Sequence, residues 1–95
     1  VGDQTIFGPY CVVVSSNHTR FQGSFRFGPP AQLPIKIGNG VWVASHVVLV
    51  AGADIGDGSL IAAGSVVNHQ VPPSVISGGL PAKTIKDLSN DERAI

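Results

Sequence analysis

A six-residue period runs through most of this chain, and no other feature constrains its fold as strongly. From Ile37 the sequence divides into IGNGVW, VASHVV, LVAGAD, IGDGSL, IAAGSV and VNHQVP, and all six segments open with Ile, Val or Leu. All six also carry Val, Ala or Ser at the fifth place. The same frame fits the start of the chain as VGDQTI, FGPYCV and VVSSNH, with Asn17 as its weak fifth place. Between His18 and Ile37 lie eighteen residues rich in Phe, Pro and Gly that do not fit. They are expected to leave the repeat as a loop.

A hexad is long enough for a short strand and a corner, and three hexads close one turn of a triangular parallel β-helix. The opening aliphatic residue points into the narrow prism, and the fifth-place residue must be small to fit beside it. Gly or Asn at a corner tolerates positive φ. Stacked turns then align Val1, Ile37 and Ile55 on one face. The expected organisation is an all-β single domain over residues 1–95, with a coil at 1–18, a loop at 19–36, coils at 37–72 and a C-terminal extension at 73–95. A small β-sandwich of short strands would not explain a strict period of six. Pro72 and Pro73 are expected to end the last coil, and SGGLP to turn without forming helix. Ser89 and Glu92 have capping-box spacing for a short C-terminal helix.

Three coils bury little surface, so capping or assembly is expected of a chain of 95 residues. Six basic residues balance six acidic ones, which argues against nucleic acid or an anionic membrane as the main partner. The single cysteine, Cys11, cannot form an internal disulfide, which favours the cytoplasm; its fifth-place position reads as core packing. The longest apolar run, VWVASHVVLVAGA, is broken by Ser45 and His46 and is too short to span a bilayer. No signal-peptide pattern opens the chain. Val1 already stands in phase with the repeat and no methionine occurs, so upstream sequence is expected.

From the His18 strand end through the repeat PIKIGNGVWVASHVVLVAGADIGDG, then IAAGSVV and GGLPAKTIK in that order, the chain resembles the hexapeptide-repeat acyltransferases, and most closely the galactoside, maltose and nodulation-type sugar O-acetyltransferases. The resemblance covers nearly the whole chain. It implies a left-handed parallel β-helix, a handedness the period alone does not supply. It also implies a homotrimer with active sites between neighbouring prisms, and acetyl-CoA as co-substrate without a metal. The expected reaction is transfer of an acetyl group to a hydroxyl of a sugar or similar small acceptor.

His18, set just before the loop, matches the family histidine that takes the proton from the acceptor. A sugar hydroxyl is a poor nucleophile, so attack on a thioester needs a base within hydrogen-bond reach, and imidazole suits the task. The same resemblance places Ser45 near the thioester and Ala63 against the pantetheine arm, and sets Lys83 and Lys86 at the CoA phosphates. Asn68 and His69 stand where relatives often carry a Thr-Lys pair that contacts CoA, so a fixed positive charge is replaced there. Trp42 ends a hexad and faces outward, toward either a neighbouring subunit or the cofactor. His46 adjoins Ser45 and either contacts ligand or, the favoured reading, holds a corner. The arm-like loop alternates Phe21, Phe25 and Phe27 with Arg20 and Arg26; it covers a neighbour and shapes the acceptor pocket, or seals the prism's side. Two other functions fit the fold: a non-catalytic assembly module, and a carbonic-anhydrase-like metal enzyme using His18, His46 and His69. The three histidines occupy unlike hexad positions, which disfavours the metal enzyme.

Overall fold

The computed structural model describes residues 1–90, and every regular element among them is a strand. The first face of a triangular prism stacks β1 (Ile6–Phe7), β6 (Trp42–Val43), β9 (Leu60–Ile61) and β12 (Val75–Gly79) in parallel, with β13 (Ala82–Asp87) antiparallel at its far edge. The second face stacks β2 (Val12–Val14), β7 (Val48–Val50) and β10 (Val66–Val67). The third holds β5 (Lys36–Ile37), β8 (Asp54–Ile55) and β11 (Gln70–Val71). Register pairs Trp42 with Leu60 and Val48 with Val66, an advance of 18 residues per turn. Ile6 pairs with Trp42 because the 18-residue loop adds itself to the first turn.

The hexad frame describes the interior well. The openers Ile37, Val43, Leu49, Ile55, Ile61 and Val67 are all buried, as are the fifth-place Val41, Val47, Ala53, Ser59 and Ser65. In the first coil the corresponding inward residues Val1, Phe7 and Val13 are 84%, 41% and 51% exposed, since no strand stacks on their outer side. Cys11 packs against the core and its thiol donates to Ala44 O at 3.0 Å, in keeping with a packing role.

One expectation needs correction. The coils do not end at Pro72: Val71 pairs with Ile55 and is an opener, so the turn from Ile55 has 16 residues and the corner at Asn68–Gln70 is two residues short. The chain then continues in the ladder through β12, with Val75 and Ser77 buried, and Pro72 and Pro73 occupy a corner. Interior serines satisfy the backbone where this last coil departs from the repeat. Ser59 Oγ donates to Pro72 O at 2.6 Å and accepts from Val75 N at 3.1 Å, and Ser65 Oγ accepts from Gly79 N at 3.0 Å. The expected non-helical turn at SGGLP is where the β12–β13 hairpin reverses, and the hairpin pairs the extension with the ladder. The Ser89 N–H donates to Asp87 Oδ1 at 2.8 Å and holds that carboxyl below its ordinary 3.8. Its small stabilising effect is present above 3.8 and is lost as pH falls through the lowered value. The proposed helix start at Ser89 and Glu92 falls mainly on residues 91–95, outside the described residues.

Corners repeat as columns. Gln4, Gly40, Gly58 and Ser74 share one corner column, and each has positive φ between 55° and 70°. Asn39 Oδ1 accepts from Asp3 N at 2.7 Å and Asp57 Oδ1 from Asn39 N at 2.8 Å, so each corner side chain supports a backbone N–H of a neighbouring corner. Beside them the second hexad place is occupied by Gly2, Gly38 and Gly56 because adjacent coils touch there. A Cβ at Gly56 would lie 2.5 Å from Pro73 N.

Candidate active site

The residues for which a binding role is expected fall along two different edges of the prism. On the edge between the first and second faces, the Ser45 carbonyl accepts from Gly64 N at 3.0 Å, which sets Ser45 beneath Ala63. Ser45 is half-buried and Ala63 exposed. The β12–β13 turn closes this edge: Lys83 is opposite Gly78, whose added Cβ would touch Ala62 Cβ at 2.9 Å. Trp42 lies on the adjoining first face and points outward, 38% exposed, between Ile6 and Leu60. Lys86 pairs with Ile76 at the end of that column and is exposed.

The edge between the second and third faces carries the rest. His18 is exposed and follows β3 (Ser16–Asn17), which pairs antiparallel with β4 (Ala31–Gln32), so the chain leaves and re-enters the prism at one place. Leu33 N donates to Ser15 O at 3.1 Å and fixes the re-entry. Farther along the axis, a Cβ at Gly52 would lie 3.5 Å from Leu33 Cδ1 and 3.7 Å from Asn68 O, which aligns the His18 exit with the short corner. There His69 Nδ1 and Asn68 Oδ1 share a hydrogen bond of 2.8 Å. The two expected groups therefore do not meet within one chain: the whole second face separates them.

That face is apolar on its outside. Val12, Val48 and Val66 form one outward column, and Val14 pairs with Val50 in a second. The first face is similar, with Ile6, Trp42, Leu60 and Ile76 in line. By contrast, the third face shows Lys36, Asp54 and Gln70 to solvent. An open depression of about 410 Å³ on this polar side is lined by Asp54, Gln70, Val71 and Pro72, away from the Ser45 edge. Among the described residues no three His, Cys, Asp or Glu side chains gather as a metal-binding group.

One contact was not anticipated. His46 occupies its corner with φ of 57° and stacks on Tyr10 with ring centroids 5.2 Å apart and planes 18° off parallel. The 36-residue offset between them, one coil plus the loop, is the signal that marks them as neighbours.

A parallel β-helix with a six-residue period, small interior fifth places and a side arm defines the hexapeptide-repeat class. Residues 34–69 match the family model described as bacterial transferase hexapeptide (six repeats). The chain is 34% identical over 93 residues to the galactoside O-acetyltransferase of Escherichia coli (strain K12), covering 98% of this chain and 46% of that protein. The structure of a galactoside acetyltransferase in complex with coenzyme A superposes with a TM-score of 0.87 at 33% identity, over 98% of this chain and 46% of the other. A hexapeptide-repeat acetyltransferase from Vibrio cholerae complexed with acetyl coenzyme A superposes at 0.86 and 33% identity, over 93% of this chain and 48% of the other. The chain belongs to the hexapeptide-repeat acyltransferase family, and its fold is that family's left-handed parallel β-helix. It spans about half the length of the curated relatives it matches.

Proposed function

We propose that this chain is the base-bearing and cofactor-binding part of a cytoplasmic, acetyl-CoA-dependent O-acetyltransferase that acts on a hydroxyl of a sugar or similar small acceptor as a homotrimer. The observation that carries this reading is the division of the expected residues between two edges with an apolar face between them. Packing a second copy against that face brings the His18 edge of one protomer toward the Ser45 and Ala63 edge of the next. It also covers valines that water would otherwise wet. The likeness to coenzyme A-bound acetyltransferases supports the cofactor.

In this reading His18 takes the proton of the acceptor hydroxyl as its oxygen attacks the thioester carbonyl. A backbone N–H or the Ser45 hydroxyl at the facing edge stabilises the oxyanion of the tetrahedral intermediate. Collapse breaks the carbon–sulfur bond, and the imidazolium returns its proton to the departing thiolate. Lys83 and Lys86 hold the phosphates; Asn68 and His69 offer neutral hydrogen-bonding groups to the cofactor, and Trp42 supplies an apolar wall to cofactor or neighbour.

Calorimetric titration of the full-length protein with acetyl-CoA, followed by mass detection of acetylated products from a sugar panel, tests the function. Binding and transfer are expected; their joint absence would leave a non-catalytic assembly module. The assembly has its own test. Val48→Glu places a carboxylate on the apolar second face while its neighbours Leu49 and Val47 keep the core intact. Trimer dissociation is expected to become easier by on the order of 100-fold, because a charge would be buried without a partner. Sedimentation velocity reads the result, and an unchanged trimer would rule out assembly through this face.

A further inference from the structure

The arm that leaves at His18 has a built shape. Ser16 and Asn17 pair with Gln32 and Ala31 at its base, and Thr19 Oγ1 donates to Pro29 O just beyond. Gly28 lies so close to Thr19 that any Cβ there would overlap the Thr19 carbonyl, so the two strands of the neck touch. Outside the neck, Phe21 and Ser24 exchange backbone hydrogen bonds of 2.9 and 3.1 Å. Gln22 and Gly23 between them both have positive φ, at 51° and 79°, as a two-residue hairpin turn requires. Arg26 N donates to Ser24 Oγ at 3.1 Å. The tip is thus a closed loop of eight residues, Arg20 to Phe27, beginning two positions after His18.

Its chemistry is one-sided. From Gln4 to Ala53 the sequence holds Arg20, Arg26 and Lys36 and no Asp or Glu, although the chain as a whole has six acidic residues against six basic ones. Both tip arginines are exposed, and among the described residues neither pairs with a carboxylate. The Arg26 guanidinium lies 5.9 Å from the centroid of the Phe27 ring, and Arg20 Nη2 folds to within 3.8 Å of where a Gly23 Cβ would be. Phe21, Phe25 and Phe27 are 52%, 60% and 74% exposed.

We propose that this tip is an acceptor-recognition element that selects a negatively charged acceptor, its arginines binding a carboxylate or phosphate group while the phenylalanines line the apolar face of the sugar ring. The inference rests on His18 being the base, since that places the tip at the acceptor end of the site. Guanidinium is the side chain best matched to a planar or tetrahedral oxyanion, through paired N–H donors. Two exposed arginines on an arm whose own sequence holds no carboxylate leave those donors available and draw an anion toward the exit of the arm. The expected phosphate-binding lysines belong to the β12–β13 hairpin, so the arm's cations are separate from them in the fold.

The test compares, in the full-length protein, kcat/KM for three acceptors with related rings: a neutral methyl hexoside, the matching hexuronate and a hexose 1-phosphate. Wild type is expected to favour at least one anion by about 10-fold or more, and the double variant Arg20→Gln, Arg26→Gln to lose about 10–100-fold on that anion alone. The preferred anion separates carboxylate from phosphate. The neutral acceptor, the KM for acetyl-CoA and the sedimentation coefficient are expected to stay unchanged. Equal use of all three acceptors by wild type overturns the proposal. A raised KM for acetyl-CoA would move the arginines to the cofactor, and an altered sedimentation coefficient would move them to assembly; either result also overturns it. Calorimetric binding of the same anions to His18→Ala protein keeps the two readings apart. Arginine-dependent anion binding without turnover in wild type sinks the transferase reading and spares the arm, whereas turnover without anion preference sinks the arm alone.

Discussion

His18→Ala is expected to lower kcat/KM for acetyl transfer by roughly 10²–10⁴-fold, the usual contribution of a positioned general base, or about 3–5 kcal/mol of transition-state stabilisation. The fold itself should hardly notice. His18 is exposed, follows the two-residue strand β3 and lies outside the hydrophobic core, so truncation removes little that packs. Surface changes of this kind typically alter stability by less than about 0.5 kcal/mol. Acetyl-CoA affinity and assembly state are therefore expected to match wild type, which separates a chemical role from a structural one. His18→Gln sharpens the result: the amide can still hydrogen-bond the acceptor but cannot accept its proton, so its loss should approach that of alanine. Full activity in the alanine variant would remove His18 from the reaction, and a parallel fall in thermal stability would recast it as a support for the arm.

The interior was legible in the sequence because a β-helix repeats one packing problem. Each opener from Ile37 to Val67 meets the same narrow prism, so the same residue classes return every six positions and the burial follows them. The frame failed where the repeat itself lost two residues. At Asn68–Gln70 the shortened corner moves Val71 from a fifth place to an opener, yet side chains alternate inward and outward with period two, and a two-residue loss preserves that alternation. Val71 thus looks interior in either frame. Prolines 72 and 73 suggested a stop for a related reason: composition signals a bend but does not say whether the chain bends away or rounds another corner. The arm was recognised only by its lack of periodicity, since its neck depends on one close approach, Gly28 on Thr19, that no pattern announces. For the site, Ser45 and Ala63 differ by 18 residues and so had to share an edge, and His18, Asn68 and His69 were placed by their own corners. That the two edges stand apart follows only from the face order, which needs the register.

Leu49→Ala is expected to destabilise the protein by about 2–5 kcal/mol, through lost burial plus the cavity left behind. Leu49 has no exposed surface and sits in the ladder between Val13 and Val67, with one neighbour from the coil on either side. A β-helix relaxes poorly around such a hole, because the coils are held apart by backbone hydrogen bonds and by contacts such as Gly56 against Pro73. Against a typical domain stability of about 5–15 kcal/mol the loss is large. Val13→Ala is the matched comparison: the same ladder and the same inward direction, but 51% exposed at the end of the stack. It should cost the 95-residue chain less than about 1 kcal/mol, since half of the side chain already faces water. Urea unfolding at several protein concentrations measures both, with an unchanged slope showing that the native and denatured states keep their compactness. The concentration series matters because assembly adds to apparent stability by mass action. If Val13→Ala proves as damaging as Leu49→Ala, the end of the prism is covered in solution, and the ladder's stability extends beyond the coils seen in one chain.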